Sequence, residues 1–148
     1  MISKIQFNNN SIMLIIILIG SFIRIYDIGS SSLWEDEILS INAADRITSI
    51  ATFFTADPEN AHPPLYFLIL KFWKYFGESE SYLRILSALF GIISIYICYL
   101  LANNFFSSKT AYIYSAIISF SPFLIRFDRE VRMYSLFLLL TILTIYFL

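Results

Sequence analysis

Three acids in succession, Glu35-Asp36-Glu37, follow Trp34 shortly after a long apolar run. His62 stands ahead of two prolines, and Arg84 ahead of a second long apolar run. The charged stretch Arg126-Phe127-Asp128-Arg129-Glu130-Val131-Arg132 precedes Met133 and Tyr134. Asp, Glu and His suit a divalent metal, so His62 is a candidate metal ligand, and the planar fork of an arginine suits a phosphate as a bidentate donor. A carboxylate poised at a membrane boundary can act as a general base on a hydroxyl. Carboxylates are expensive in hydrocarbon, so the acid cluster must lie in water or be paired. Plainer alternatives stand beside each reading. His62 could be a turn or cap residue, Arg84 an interface anchor, the 126–132 run a solvated loop with internal ion pairs, and the acid cluster an ordinary helix start.

The elements that must position these groups follow from composition. The chain is 58% hydrophobic and only 14% charged, with a mean hydropathy of +0.72. A soluble domain carries about 25% charge, so the expectation is an all-α, polytopic integral membrane protein. The net charge of −1 leaves no basic surface for nucleic acid. The single Cys98 excludes an intrachain disulfide and a Cys-rich metal site.

About four transmembrane helices are expected, near residues 11–28, 85–102, 110–125 and 133–148, all within one transmembrane domain. Arg24 should snorkel towards the interface at the far end of the first span. Residues 30–82 form an outer loop. Within it, Ser32 and Glu35 match a capping box, which predicts a helix from Ser32 to about Phe54, broken at Asp57-Pro58-Glu59-Asn60. Its first turns would hold Asp36 and Glu37 near the positive end of the helix dipole. Residues 62–76 are short and carry Lys71, Trp73 and Lys74, which fits an amphipathic surface helix better than a span. Pro122 should kink the third span. With 62–76 on the surface, residues 1–10 and 103–109 face the cytoplasm, and the Asp36 cluster meets the Arg126–Arg132 cluster on the outer face. The rival topology, with 62–76 as a span, puts those arginines inside, as the positive-inside rule prefers. The chain stops inside its last apolar run, which suggests a partial product.

The order of motifs resembles a known family. Leu33-Trp34-Glu35-Asp36-Glu37 is followed by His62-Pro63-Pro64-Leu65-Tyr66-Phe67, then Ser81-Tyr82-Leu83-Arg84, then Ser121-Pro122 and Arg129-Glu130-Val131-Arg132-Met133-Tyr134. From about Ile23 onward this is similar to the N-terminal part of C-fold membrane glycosyltransferases, the group of the protein O-mannosyltransferases and the lipid A aminoarabinose transferase. The resemblance implies transfer of a sugar from a polyprenyl-phosphate donor to a hydroxyl of a glycan, lipid or protein acceptor on the outer face, with inversion. It implies Asp36 as catalytic base, Glu37 as its support or a metal ligand, and Arg84 as a ligand of the donor phosphate. Glu130 and Arg132, with Tyr134 nearby, match the second loop that supplies active-site groups. A divalent metal is a candidate cofactor. The localisation implied is the cell membrane, multi-pass, with a cytoplasmic N-terminus. The competing class is a non-catalytic membrane piece, such as an assembly subunit or part of a transporter.

Overall fold

The computed structural model describes residues 9–56 and 62–148, and among these it holds eight helices and no strand: α1 (Asn9–Ile25), α2 (Glu35–Arg46), α3 (Ile50–Phe54), α4 (Leu65–Lys74), α5 (Glu80–Phe105), α6 (Ser108–Phe120), α7 (Pro122–Asp128) and α8 (Tyr134–Phe147). Serines start four of them. Ser49, Ser79, Ser107 and Ser121 each accept a hydrogen bond from the backbone N–H three residues on, satisfying a donor the helix cannot.

α5 is the axis. Its 26 residues rise about 39 Å, more than the roughly 30 Å of a bilayer core. α1, α4, α6, α7 and α8 all pack against it. Its buried side includes Ser87, Ala88, Gly91, Ser94 and Ala102, small residues that let neighbouring helices approach closely. On α1, Met13, Ile16, Gly20 and Arg24 are buried while Leu14, Leu18 and Phe22 are exposed, two stripes at helical spacing.

α5 is the one described helix that is long and apolar enough to cross a membrane unaided. α6 and α7 are long and apolar enough only as a pair, bent by 57° at a break, the form of a broken span or of a re-entrant loop. The break is at Pro122, the first residue of α7, as expected for a residue without an N–H. α1 and α8 are shorter apolar helices. α4 has 10 residues, about 15 Å, and is too short to span.

Two expectations are corrected. The helix expected from Ser32 to Phe54 is two helices, and the first begins at Glu35 with Trp34 as its cap. The reciprocal bond is made by Glu37, whose Oε2 accepts from the Trp34 N–H at 3.2 Å. The Ser32 carbonyl accepts from Arg84 instead. Arg24 does not snorkel. It is fully buried, and its Nε donates to Asp128 Oδ2 at 2.8 Å. Its remaining nitrogens donate to the carbonyls of Gly20, Ser119 and Ile118, so the guanidinium finds its partners inside the bundle. Gly91 makes room for the pair: a Cβ there would lie 2.3 Å from the Asp128 carboxyl. The break expected at residues 57–60 lies outside the described residues.

Candidate functional site

The α7–α8 turn, residues 129–133, closes over one end of α5 and meets the first turn of α2 there. Arg129 ties it to α1, donating to the carbonyls of Ile23 and Tyr26 at 2.8 and 2.9 Å and to that of Asp27 at 3.1 Å. These are carbonyls left over at a helix C-terminus, where a cation is favourable. Val131 is buried, and its N–H donates to Glu37 Oε1 at 2.9 Å.

Glu37 and Arg84 form a closed bidentate pair. Arg84 Nε donates to Oε1 at 2.8 Å and Nη2 to Oε2 at 2.7 Å. The rest of the guanidinium donates to the carbonyls of Ile28, Ser31 and Ser32. All five N–H groups of Arg84 are therefore engaged. Burial by itself would push the Glu37 carboxyl up, but hydrogen bonds from Arg84, Val131 and Trp34 outweigh it and hold it below its ordinary value. In this geometry Arg84 has no donor left for a phosphate, and Glu37 has no carboxylate oxygen left to take a proton. Together they brace the first turn of α2 against α5 and the 129–133 turn.

The neighbouring residue faces a different environment. Asp36 is 40% exposed at its side chain, and its Oδ2 lies 3.9 Å from Arg132 Nη2. Arg132 is buried to all but 6%, yet its contacts are long. Nη2 lies 3.3 Å from His62 Nε2 and 3.4 Å from the Tyr134 hydroxyl, and Nη1 lies 3.4 Å from Ser40 Oγ. The bond from Nη1 to the Asp36 carbonyl, at 3.0 Å, is the best formed. The guanidinium carbon lies 5.5 Å from the centre of the Tyr134 ring, within cation–π range. Its Nε has no partner among the described residues. Asp36, His62, Arg132 and Tyr134 thus converge from three separated parts of the chain. Beside them opens an apolar cleft of about 350 Å³, lined by residues including Pro63, Tyr66, Met133, Tyr134 and Leu140.

Glu130 points elsewhere. Its Oε1 accepts from Arg126 Nε at 3.3 Å. With Trp34, Glu37, Arg84, Arg126 and Arg129 it lines a cavity of about 390 Å³ in which Arg132 takes no part. The residues suited to a divalent metal do not assemble: among the described residues no three of His, Cys, Asp and Glu come together. His62 has a guanidinium beside it, which disfavours a second cation.

Three features had no reading in the sequence. One is the buried Arg24–Asp128 pair. Another is the Val131 N–H on Glu37. The third is a chain in which the Tyr66 hydroxyl lies 2.9 Å from Ser87 Oγ and Ser87 Oγ donates to the Arg132 carbonyl at 3.1 Å. Tyr66 stands in the His-Pro-Pro motif, and Ser87 lies one turn on from Arg84, so spacing was the available signal.

The described residues form a helical bundle with a candidate membrane span and, at one end, an arginine–carboxylate site beside an apolar cleft. Residues 61–148, more than half of the chain, match the family described as dolichyl-phosphate-mannose-protein mannosyltransferase, and the chain belongs to that family. It is a mannosyltransferase-type family of membrane glycosyltransferases. No curated protein and no solved structure matches the chain. The matched segment contains His62, Arg84, Glu130, Arg132 and Tyr134 but begins after Asp36 and Glu37. Those two are tied to it by contacts: Glu37 to Arg84 and Val131, and Asp36 to Arg132.

Proposed function

We propose that the chain carries a glycosyl-transfer site in which a sugar passes from a polyprenyl-phosphate donor to an acceptor hydroxyl, with Asp36 as general base. The observation that carries this is the convergence of Asp36, His62, Arg132 and Tyr134, the last of which also lines the apolar cleft. The family description names a mannosyl donor on dolichyl phosphate and a protein acceptor, which supports a polyprenyl-phosphate mannose as the donor.

In the proposed step the acceptor oxygen attacks the anomeric carbon as Asp36 takes its proton. The bond from that carbon to the phosphate oxygen breaks, and polyprenyl phosphate leaves from the opposite face, inverting the configuration. Arg132 receives the phosphate, because it is the buried guanidinium whose contacts are long and whose Nε is unpaired among the described residues. Tyr134 and His62 flank it. The cleft takes the first part of the lipid chain. Arg84 and Glu37 serve as the brace that sets the Asp36 backbone. The site lies on the outer face in a multi-pass topology with a cytoplasmic N-terminus, and α4 lies along the membrane surface.

The test is transfer by the protein in lipid from a polyprenyl-phosphate mannose to a hydroxyl acceptor. Asp36→Asn should lower the rate by about 10²–10⁴, the usual contribution of a general base, while the protein stays folded. Transfer at the native rate by Asp36→Asn would remove the base from the scheme.

A further inference from the structure

Within the 129–133 turn, Arg129 is held by its side chain, whereas residues 131 and 132 are held by their main chain. Val131 N–H is taken by Glu37, Arg132 N–H bonds the Glu130 carbonyl at 2.8 Å, and the Arg132 carbonyl is taken by Ser87. The Arg132 side chain has one bond of that length, from Nη1 to the Asp36 carbonyl at 3.0 Å, and its contacts with other side chains are 3.3 Å or longer. The position of the guanidinium therefore depends on where the backbone of residue 132 is pinned as well as on that bond.

We infer that Tyr66 and Ser87 are positioning residues that fix the Arg132 guanidinium through its backbone carbonyl. This rests on Arg132 being the phosphate ligand of the proposed site. Ser87 is fully buried and Tyr66 is 1% exposed, so water cannot replace either hydroxyl. A serine hydroxyl has one proton, and that proton goes to the Arg132 carbonyl. Tyr66 must then be the donor to Ser87, and the chain runs from α4 through α5 to the turn. Burial raises the Tyr66 phenol above its ordinary value, so it keeps the proton it donates. The segment that opens with His62-Pro63-Pro64 is in this way coupled to the residue that His62 touches.

The experiment uses the full chain in lipid and undecaprenyl phosphate as the probe. Ser87→Ala should weaken binding about three- to tenfold and Tyr66→Phe about two- to threefold, the scale of one lost hydrogen bond. Repeated in an Arg132→Ala background, both effects should shrink below about twofold, because the residues act through Arg132. An equal loss in both backgrounds, or no loss in the native one, overturns the inference. Tyr66→Phe keeps the ring and its packing, so a folding failure of Ser87→Ala does not remove the test. Amide exchange of residues 131–133 is a ligand-free readout: it should accelerate in Ser87→Ala while the amides of α5 hold, and unchanged exchange overturns the inference. Native protein that does not bind the probe, with exchange accelerated as expected, would instead defeat the reading of Arg132 as the phosphate ligand and leave the pin in place.

Discussion

Four arginine–carboxylate pairs stand among the described residues; Arg126–Glu130 is local, four residues apart, and the three that join distant parts of the chain are not alike. Arg24–Asp128 and Arg84–Glu37 are short, at 2.8 and 2.7 Å, and their side chains are at most 4% exposed. Every remaining N–H of Arg84 finds a carbonyl, and Arg24 finds three carbonyls of its own. Arg132–Asp36 is open: its groups are 3.9 Å apart, the carboxylate is 40% exposed, and the arginine has an unpaired Nε among the described residues. A closed buried pair has offset its desolvation cost and has no capacity left for a ligand. An open pair beside a cleft keeps that capacity. The contrast separates groups that hold the fold from groups that can act, though all three read alike as charges near apolar runs.

The largest effect that would sharpen this contrast comes from cutting a closed pair. Arg24→Ala or Arg84→Ala leaves a buried carboxylate without its cation, and should cost about 3–5 kcal/mol, read as a lower unfolding midpoint in detergent. Arg132→Ala should cost far less by the same measurement, because Asp36 keeps its access to solvent. Equal losses from the three arginines would break the comparison. Gly91→Ala comes next. Its methyl group would press on the Asp128 carboxyl, and overpacking of this kind costs about 1–3 kcal/mol.

Acid provides a gentler test of the closed pair on α2. The folded pKa of Glu37 lies below its ordinary value of 4.5. Its contribution to stability is therefore complete above that value and is lost as pH falls through the lower folded pKa. Glu37→Gln should flatten the acid limb of the stability profile below about pH 4.5; an unchanged limb would show that the carboxylate is not held as described. The smallest effect belongs to the surface. Lys74 bonds the exposed Asp45 at 2.6 and 2.7 Å, and Lys74→Ala should cost about 0.2–1 kcal/mol.

How much of this was legible follows from sequence distance. The kink at Pro122 and the short α4 after His62-Pro63-Pro64 are local, and residue chemistry was enough to read them. The meeting of Asp36 with Arg132, 96 residues apart, could be expected from the alternation of apolar runs, which sets the end of the bundle each polar island occupies. The partner of a given charge was not legible. Arg24 looked like an interface anchor because Asp128 lies 104 residues away. Ser32 looked like a cap because nothing local shows that its carbonyl is bound by Arg84. Arg84 and Arg132 are the same residue type in similar settings, and the number of carbonyls each one meets is a property of the packed helices.

In the proposed function the open pair acts and the closed pairs support it. The most direct test is transfer from polyprenyl-phosphate mannose by native protein and by Asp36→Asn, with the unfolding midpoint measured on the same samples. Transfer by Asp36→Asn should fall by about 10²-fold or more with the midpoint unchanged. Transfer retained in Asp36→Asn, or lost only together with the fold, would contradict the proposal.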